Sequence, residues 1–362
     1  MSTNPRSRLP WLAGAALALA LGVWGGLARL GGVIPPLLPH HATAHGPLMI
    51  GGFLGALIGL ERAVALGRWW GYGVPALAVA STLWTALRPE SGPAALLLVA
   101  ASAVAVPVFV ELLRRRADLA VAVMGLGVVC WLVGNVRWGS GGLILAAVPW
   151  WAAFLVLTIL GERLELSQVL APPRRARVTF VVSMAVFAGG LLLAYADHDL
   201  GLRVFGAGCV ALAAWGLRWD LARRTLRFGG RHRFTAVCLL GGYFWLAVAG
   251  ALILLWGGNL GGLPWDAALH ALFLGFVFSM IFGHAPLVAR LVLGLELAYT
   301  PGFYLHLGLL HLSLLMRLGG DLAGSPAGRT VGAVLNMVAI AAFLLNTLRA
   351  AIQGALAGRS ES

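Results

Sequence analysis

Residues 45–67 read HGPLMIGGFLGALIGLERAVALG. From His45 to Leu60 the stretch holds no charged residue, and it closes on an adjacent Glu61–Arg62 pair and Gly67. At about 1.5 Å per residue, some 20 apolar residues cross the roughly 30 Å hydrocarbon layer of a bilayer. The pattern therefore predicts a membrane helix over 45–66 that opens on a histidine and ends on an interfacial ion pair. Gly51, Gly55 and Gly59 form a stripe of small residues along it, with Gly52, Ala56 and Gly59 following His45. Such a stripe serves close packing of a neighbouring helix, or leaves a flat slot beside the histidine for a planar ligand.

The rest of the chain repeats the pattern. The 362 residues are 60% hydrophobic and 11% charged, with mean hydropathy +0.89. Composition of this kind marks a membrane protein. Apolar stretches predict about twelve spans, at 10–30, 45–66, 70–88, 93–113, 119–137, 142–160, 177–196, 200–219, 234–256, 264–289, 301–318 and 329–351. Gly, Pro and Arg clusters such as RPESGP (88–93), APPRRAR (171–177) and GGNLGGLPW (257–265) separate them. The fold class expected is an all-α polytopic membrane protein, residues 1–362 forming one integral membrane domain. The first span is read as an uncleaved helix.

All 26 cationic residues are arginine. Placing the N-terminus in the cytoplasm puts 20 of the 26 on the inner side and 6 on the outer, which follows the positive-inside rule. A bacterial plasma-membrane location with both termini cytoplasmic is the expectation. The net charge of +13 is spread over short loops without interleaved aromatics, so nucleic acid is not an expected partner. Membrane lipids are. The basic loop 218–234 sets topology or meets anionic head groups, and His232 within it is solvated, as is His198 in the outer DHD. Cys130, Cys209 and Cys238 stand in apolar runs with no CxxC spacing, which implies neither a disulfide framework nor a zinc ribbon. No nucleotide motif, GxSxG or HExxH is present.

The remaining histidines carry the functional reading. Ionisable groups are costly in lipid and tend to mark a site. A neutral imidazole ligates iron or copper without bringing charge. His45 opens the second span, with His40 and His41 just before it. His270 lies roughly 10 Å to the outer side of mid-membrane. His311 is near the middle of its span, and His284 and His306 are toward the inner side. Helical periodicity puts His270 and His284 within about 40° of one face and splits His306 from His311 by about 140°. Asp266 precedes His270 by one turn and is read as its orienting acceptor or as a cap. The Glu-Arg pairs LERA (60–63) and GERL (161–164) are read as interfacial ion pairs or a proton entry point. No Asp, Glu, Lys or Arg is expected near mid-membrane, which weakens a charge-coupled transporter reading.

His41-Ala-Thr-Ala-His45 with Met49, and His270-Ala-Leu-Phe-Leu-Gly275, resemble motifs of the NnrS family, haem- and copper-containing membrane proteins associated with nitric oxide. More broadly the chain resembles the haem-copper oxidase superfamily. Here the first motif lacks the family's Glu and spaces its histidines by four instead of two. The resemblance implies an oxidase-like helical bundle and a haem, with copper as a second metal, handling nitric oxide or a related diatomic ligand, or electrons from a donor protein. It makes His45 an axial haem ligand, with His270 and His311 for the opposite position or a copper. Arg137 and Trp138 would meet the haem propionates by charge complementarity. The metal-ligand set to be placed is His41, His45, His270, His284, His306 and His311. A small-solute or metal transporter with a histidine relay is the alternative reading.

Overall fold

The computed structural model describes residues 5–31, 34–37, 39–88, 91–141, 144–168, 172–259 and 261–360. Pro89, Glu90 and Ala171, within the breaks expected at 88–93 and 171–177, lie outside them. Among the described residues there is no strand, and twelve helices of 15 residues or more carry the chain. They are α1 (Leu9–Ala28), α2 (His45–Leu66), α3 (Gly73–Leu87), α4 (Ser91–Arg115), α5 (Leu119–Gly139) and α6 (Ile144–Ser167), then α7 (Arg174–Leu193), α8 (His198–Trp219), α9 (Gly230–Trp256), α10 (Leu263–Leu293), α11 (Phe303–Leu322) and α12 (Pro326–Ser360). Ten are long and apolar enough to cross a membrane. The other two are α3, of 15 residues, and α11, of 20 residues, which carries Arg317 and Asp321.

Local chemistry sets the boundaries. The Asp118 carboxylate caps α5 by accepting from the Val121 N–H, and Asp197 caps α8 through the Leu200 N–H. Gly67 ends α2 at φ 68°, a left-handed position that a side chain would strain. Pro107, Pro149 and Pro286 sit inside α4, α6 and α10, a use of proline that membrane helices tolerate.

Two helices contain a wide turn with i→i+5 hydrogen bonding: Leu48–Gly55 in α2 and Ala271–Phe278 in α10. Each wide turn follows one of the two motif histidines. One extra residue in a turn sets the helical phase back by about 100°. The expectation that His270 and His284 share a face fails for this reason, because the wide turn lies between them.

The chain divides into two compact units. The first comprises residues 1–162 with 288–294, the second 163–287 with 295–362. In the first, α2 packs against α1 and α3, α3 against α4, and α4 against α5. In the second, α8 packs against α7 and α9, α9 against α10, and α11 against α10 and α12. Polar residues are inside: Ser102, Asn135, Asp220, Ser279, His306 and Ser313 are at most 2% exposed. Large apolar side chains such as Leu96, Leu192, Leu255, Leu305 and Leu345 are more than 60% exposed. A water-facing surface of this kind drives association, whereas a lipid-facing surface is stable with it.

The glycine stripe of α2 is a packing device. A Cβ on Gly51 would meet Leu98 at 2.3 Å, one on Gly55 would meet Trp131 at 2.5 Å and one on Gly59 would meet Val74 at 2.5 Å. Neighbouring side chains fill the stripe, so the flat slot for a planar ligand does not exist there.

Candidate functional site

The first unit holds His40, His41 and His45. The His45 Nδ1–H donates to the Gly22 carbonyl of α1 at 2.6 Å. Its lone pair is therefore on Nε2, the tautomer that metal-ligating histidines use when a second atom holds their ring. The ring lies over α1 where Gly26 leaves room: a Cβ there would stand 2.8 Å from Cε1. Gly25 allows the His41 carbonyl the same approach, and Gly22 makes way for Met49. Three glycines of α1, in GVWGG (22–26), thus cradle the His41–His45 segment.

His41 is 2% exposed. Its ring nitrogens stand beside the Thr85 and Ala86 backbone without a formed hydrogen bond. His40 packs edge-on to it at 4.7 Å and donates from Nε2 to the Thr85 carbonyl at 2.7 Å.

Arg137 and Trp138, expected near haem propionates, end α5 in the same unit. Trp138 packs edge-on to Trp151 of α6 at 6.0 Å, and Trp151 approaches the position a Gly46 Cβ would take to 3.9 Å. The indole of Trp151 links the α5 end to the start of α2. Its N–H donates to Asn135 Oδ1 at 2.9 Å, and Asn135 donates in turn to Ser102 Oγ and the Leu98 carbonyl, each at 3.0 Å. This buried network is satisfied and fixes α4, α5 and α6.

The second unit holds His270, His284, His306 and His311, each in a different setting. The His270 Nδ1–H donates to the Asp266 carbonyl one turn back at 2.8 Å, with the Asp266 carboxylate at 3.4 Å. Asp266 orients the ring mainly through its backbone. Ligand atoms of Asp266, His270 and Asp321 lie within 4.8 Å of one another, the one such group among the described residues. Both carboxylates are engaged. Arg317 donates to Asp266 and, at 3.2 Å, to Asp321. Arg329 donates to Asp321 at 2.6 Å and stands 3.9 Å from Asp266. Two carboxylates face two guanidiniums, so a cation entering this cluster must displace arginine.

At the other end of α10, His284 donates from Nδ1 to the Met280 carbonyl at 2.7 Å, and its Nε2 accepts from Arg163 Nη1 at 3.3 Å. Arg163 forms a two-armed pair with Asp220 at 2.6 and 2.8 Å. Asp220 also accepts from the Tyr243 hydroxyl at 2.6 Å and the Ala222 N–H at 2.7 Å. The side chains of Arg163 and Asp220 are 5% and 0% exposed. A guanidinium at the Nε2 lone pair repels a metal cation from His284.

His306 is set among Phe282, Phe343, Phe303 and Phe234, with ring centroids at 4.9, 5.4, 5.5 and 6.0 Å. Its Nε2 has no hydrogen-bond partner among the described residues. His311 stacks on Trp245, whose indole N–H donates to His311 Nδ1 at 2.8 Å. A neutral ring accepting at Nδ1 carries its proton on Nε2. In this geometry His311 donates a hydrogen bond and offers no lone pair to iron or copper.

Reading the sequence missed Arg163, Asp220 and Tyr243 as a group. Arg163 was read as the partner of Glu162 in GERL, and Asp220 as one acid in a basic loop. The available signal was a lone acid at a helix end in RWDLARR. The adjacent pair read in LERA forms, Arg62 with Glu61, and Arg62 also takes Glu162 of GERL, whereas Arg163 of GERL pairs with Asp220 instead. Cys130, Cys209 and Cys238 are buried and free.

A family model described as Domain of unknown function (DUF8744) matches residues 8–352. No curated protein and no solved structure matches the chain.

Proposed function

The chain belongs to the DUF8744 family, and from its own residues we propose that it is an integral membrane protein that binds haem through His45. Its spans number about twelve, in an oxidase-like bundle. The observation that carries this reading is the seating of His45. The Nδ1–H is spent on the Gly22 carbonyl, the ring rests on a glycine surface, and Nε2 holds the lone pair. Backbone support of this kind fixes the ring orientation and raises its basicity as a ligand.

Haem iron supplies one-electron chemistry and a coordination position for nitric oxide or a related diatomic ligand. The protein's part is to hold the ring, exclude water and set the charge around it. Trp151, backed by Trp138, stands beside the start of α2, with Arg137 as the cation for a propionate. Copper, as a second metal, falls to His41 or to His270, whose Nδ1–H is likewise spent on a carbonyl. The NnrS-like and oxidase-like kinship remains part of this proposal, as does the bacterial plasma membrane.

The test is an absorption spectrum with metal analysis on detergent-purified protein. A Soret band is expected in the wild type and in His311→Ala, and its loss in His45→Ala. Protein without chromophore or metal removes the reading. One observation favours a second reading, transport of a small solute by a histidine relay: α10 carries ionisable clusters at both ends, around His270 and around His284. Flux into proteoliposomes that depends on His270, with no chromophore, would select it.

A further inference from the structure

The first unit has a groove of about 630 Å³ lined by Trp11, Trp69, Trp70, Tyr72, Val104 and Pro107, with small residues between them. The volume is in the range of small-molecule sites. Its side chains offer carbon, indole N–H groups and one phenol, and no charge. Trp69 is 86% exposed, although a short 3₁₀ turn, Trp69–Tyr72, holds it. Tryptophan and tyrosine prefer the interface between acyl chains and head groups. An aromatic groove at that level suits a hydrocarbon chain.

Cations stand at one end of the groove. Arg68 directly precedes Trp69, and its side chain is 59% exposed. On α4, Ala103, Pro107 and Arg114 recur at helical spacing, so Arg114 lies on the groove face two turns beyond Pro107. Arg114 is exposed. Glu111 stands 3.9 Å from Arg68 and 3.1 Å from Arg115. Arg115 also donates to the Leu66 carbonyl at 2.8 Å, which ties α4 to the end of α2. Glu111 is thus matched by Arg115, and Arg68 and Arg114 give this end a surplus of positive charge.

We propose that this groove is a binding site for an anionic phospholipid, with an acyl chain along the tryptophans and the phosphate on Arg68 and Arg114. An uncharged prenyl quinone would fill the same groove but gain nothing from the two arginines. The site rests on the membrane reading alone and is independent of haem at His45.

The experiment uses full-length protein reconstituted in vesicles of phosphatidylcholine and phosphatidylglycerol in equal amounts, then extracted and weighed by native mass spectrometry. Each arginine near a lipid surface contributes about 1 kcal/mol, or about fivefold. Wild-type protein is expected to retain phosphatidylglycerol at least about fivefold over phosphatidylcholine. Arg68→Gln with Arg114→Gln abolishes that preference. Trp70→Ala lowers retention of both lipids. Ala103→Trp, which fills the groove from the opposite wall, does the same and stands in if Trp70→Ala does not fold. Arg223→Gln with Arg224→Gln, in the separate basic loop, leaves the preference unchanged. The proposal falls if the two lipids are retained equally, if the preference follows Arg223 and Arg224, or if a quinone occupies the groove.

Discussion

The two ends of α10 use the same three residue types and behave differently. At one end His284 meets Arg163 and Asp220; at the other His270 meets Asp266, Asp321, Arg317 and Arg329. The first cluster is sealed, with Arg163 and Asp220 side chains 5% and 0% exposed. The second holds a pair buried as deeply, Arg317 and Asp321 at 6% and 0%, and is open only at its edge, where His270 is 23% and Asp266 30% exposed. Inside lipid-facing protein an ion pair survives only when every lone pair is matched, and Asp220 accepts four hydrogen bonds. The sealed cluster is therefore a lock between helices. The second adds to such a pair a half-exposed carboxylate and imidazole, Asp266 and His270.

The largest effect expected is at the lock. Arg163→Leu leaves the Asp220 carboxylate buried without its counter-charge and should cost about 3–5 kcal/mol of stability. Thermal unfolding in detergent reads this, and Arg163→Leu with Asp220→Leu should recover most of the loss. A mild phenotype for the single change would break the contrast between the two ends. At the open end, Asp266→Asn keeps a hydrogen-bond acceptor for Arg317 and gives up a partly solvated ion pair. The expected cost is about 1 kcal/mol or less. A loss as large as that of Arg163→Leu would mean that the two clusters are one kind of device.

The smallest effect sharpens the contrast with a histidine sealed without any counter-charge. His41 lies in the turn before α2, and burial, helped by the neighbouring His40, holds its imidazole below the usual range. The folded state then binds this proton less readily than the unfolded chain does. Its contribution to stability is present above pH about 6.5 and is lost as pH falls toward the folded value. His41→Asn should flatten the acid side of the stability profile, measured by unfolding midpoints across pH 5 to 7.5. An unchanged acid slope would mean that His41 is not sealed as described.

How much was legible differs by feature. The span over 45–66 matches α2 in extent, because a run of apolar residues bounded by a proline-led start and a Gly stop leaves little choice. The close-packing reading of Gly51, Gly55 and Gly59 also holds. The shared face of His270 and His284 was not legible, since periodicity assumes 3.6 residues per turn and α10 departs from it at 271–278. Nor could His311 be set apart from His45. Both stand on apolar helices, and only their partners, an indole N–H for one and a carbonyl for the other, fix which nitrogen keeps the lone pair.

Composition and apolar run length by themselves determined the class of this protein: helices long enough to cross lipid, separated by short arginine-rich turns. That follows from transfer free energy, which sums residue by residue along the chain and needs no partner. Tertiary structure alone decided which nitrogen of an imidazole keeps its lone pair and which charges can be buried. Those outcomes depend on hydrogen-bond partners tens to hundreds of residues away, such as Gly22 for His45 and Asp220 for Arg163, and no local pattern in the chain encodes them.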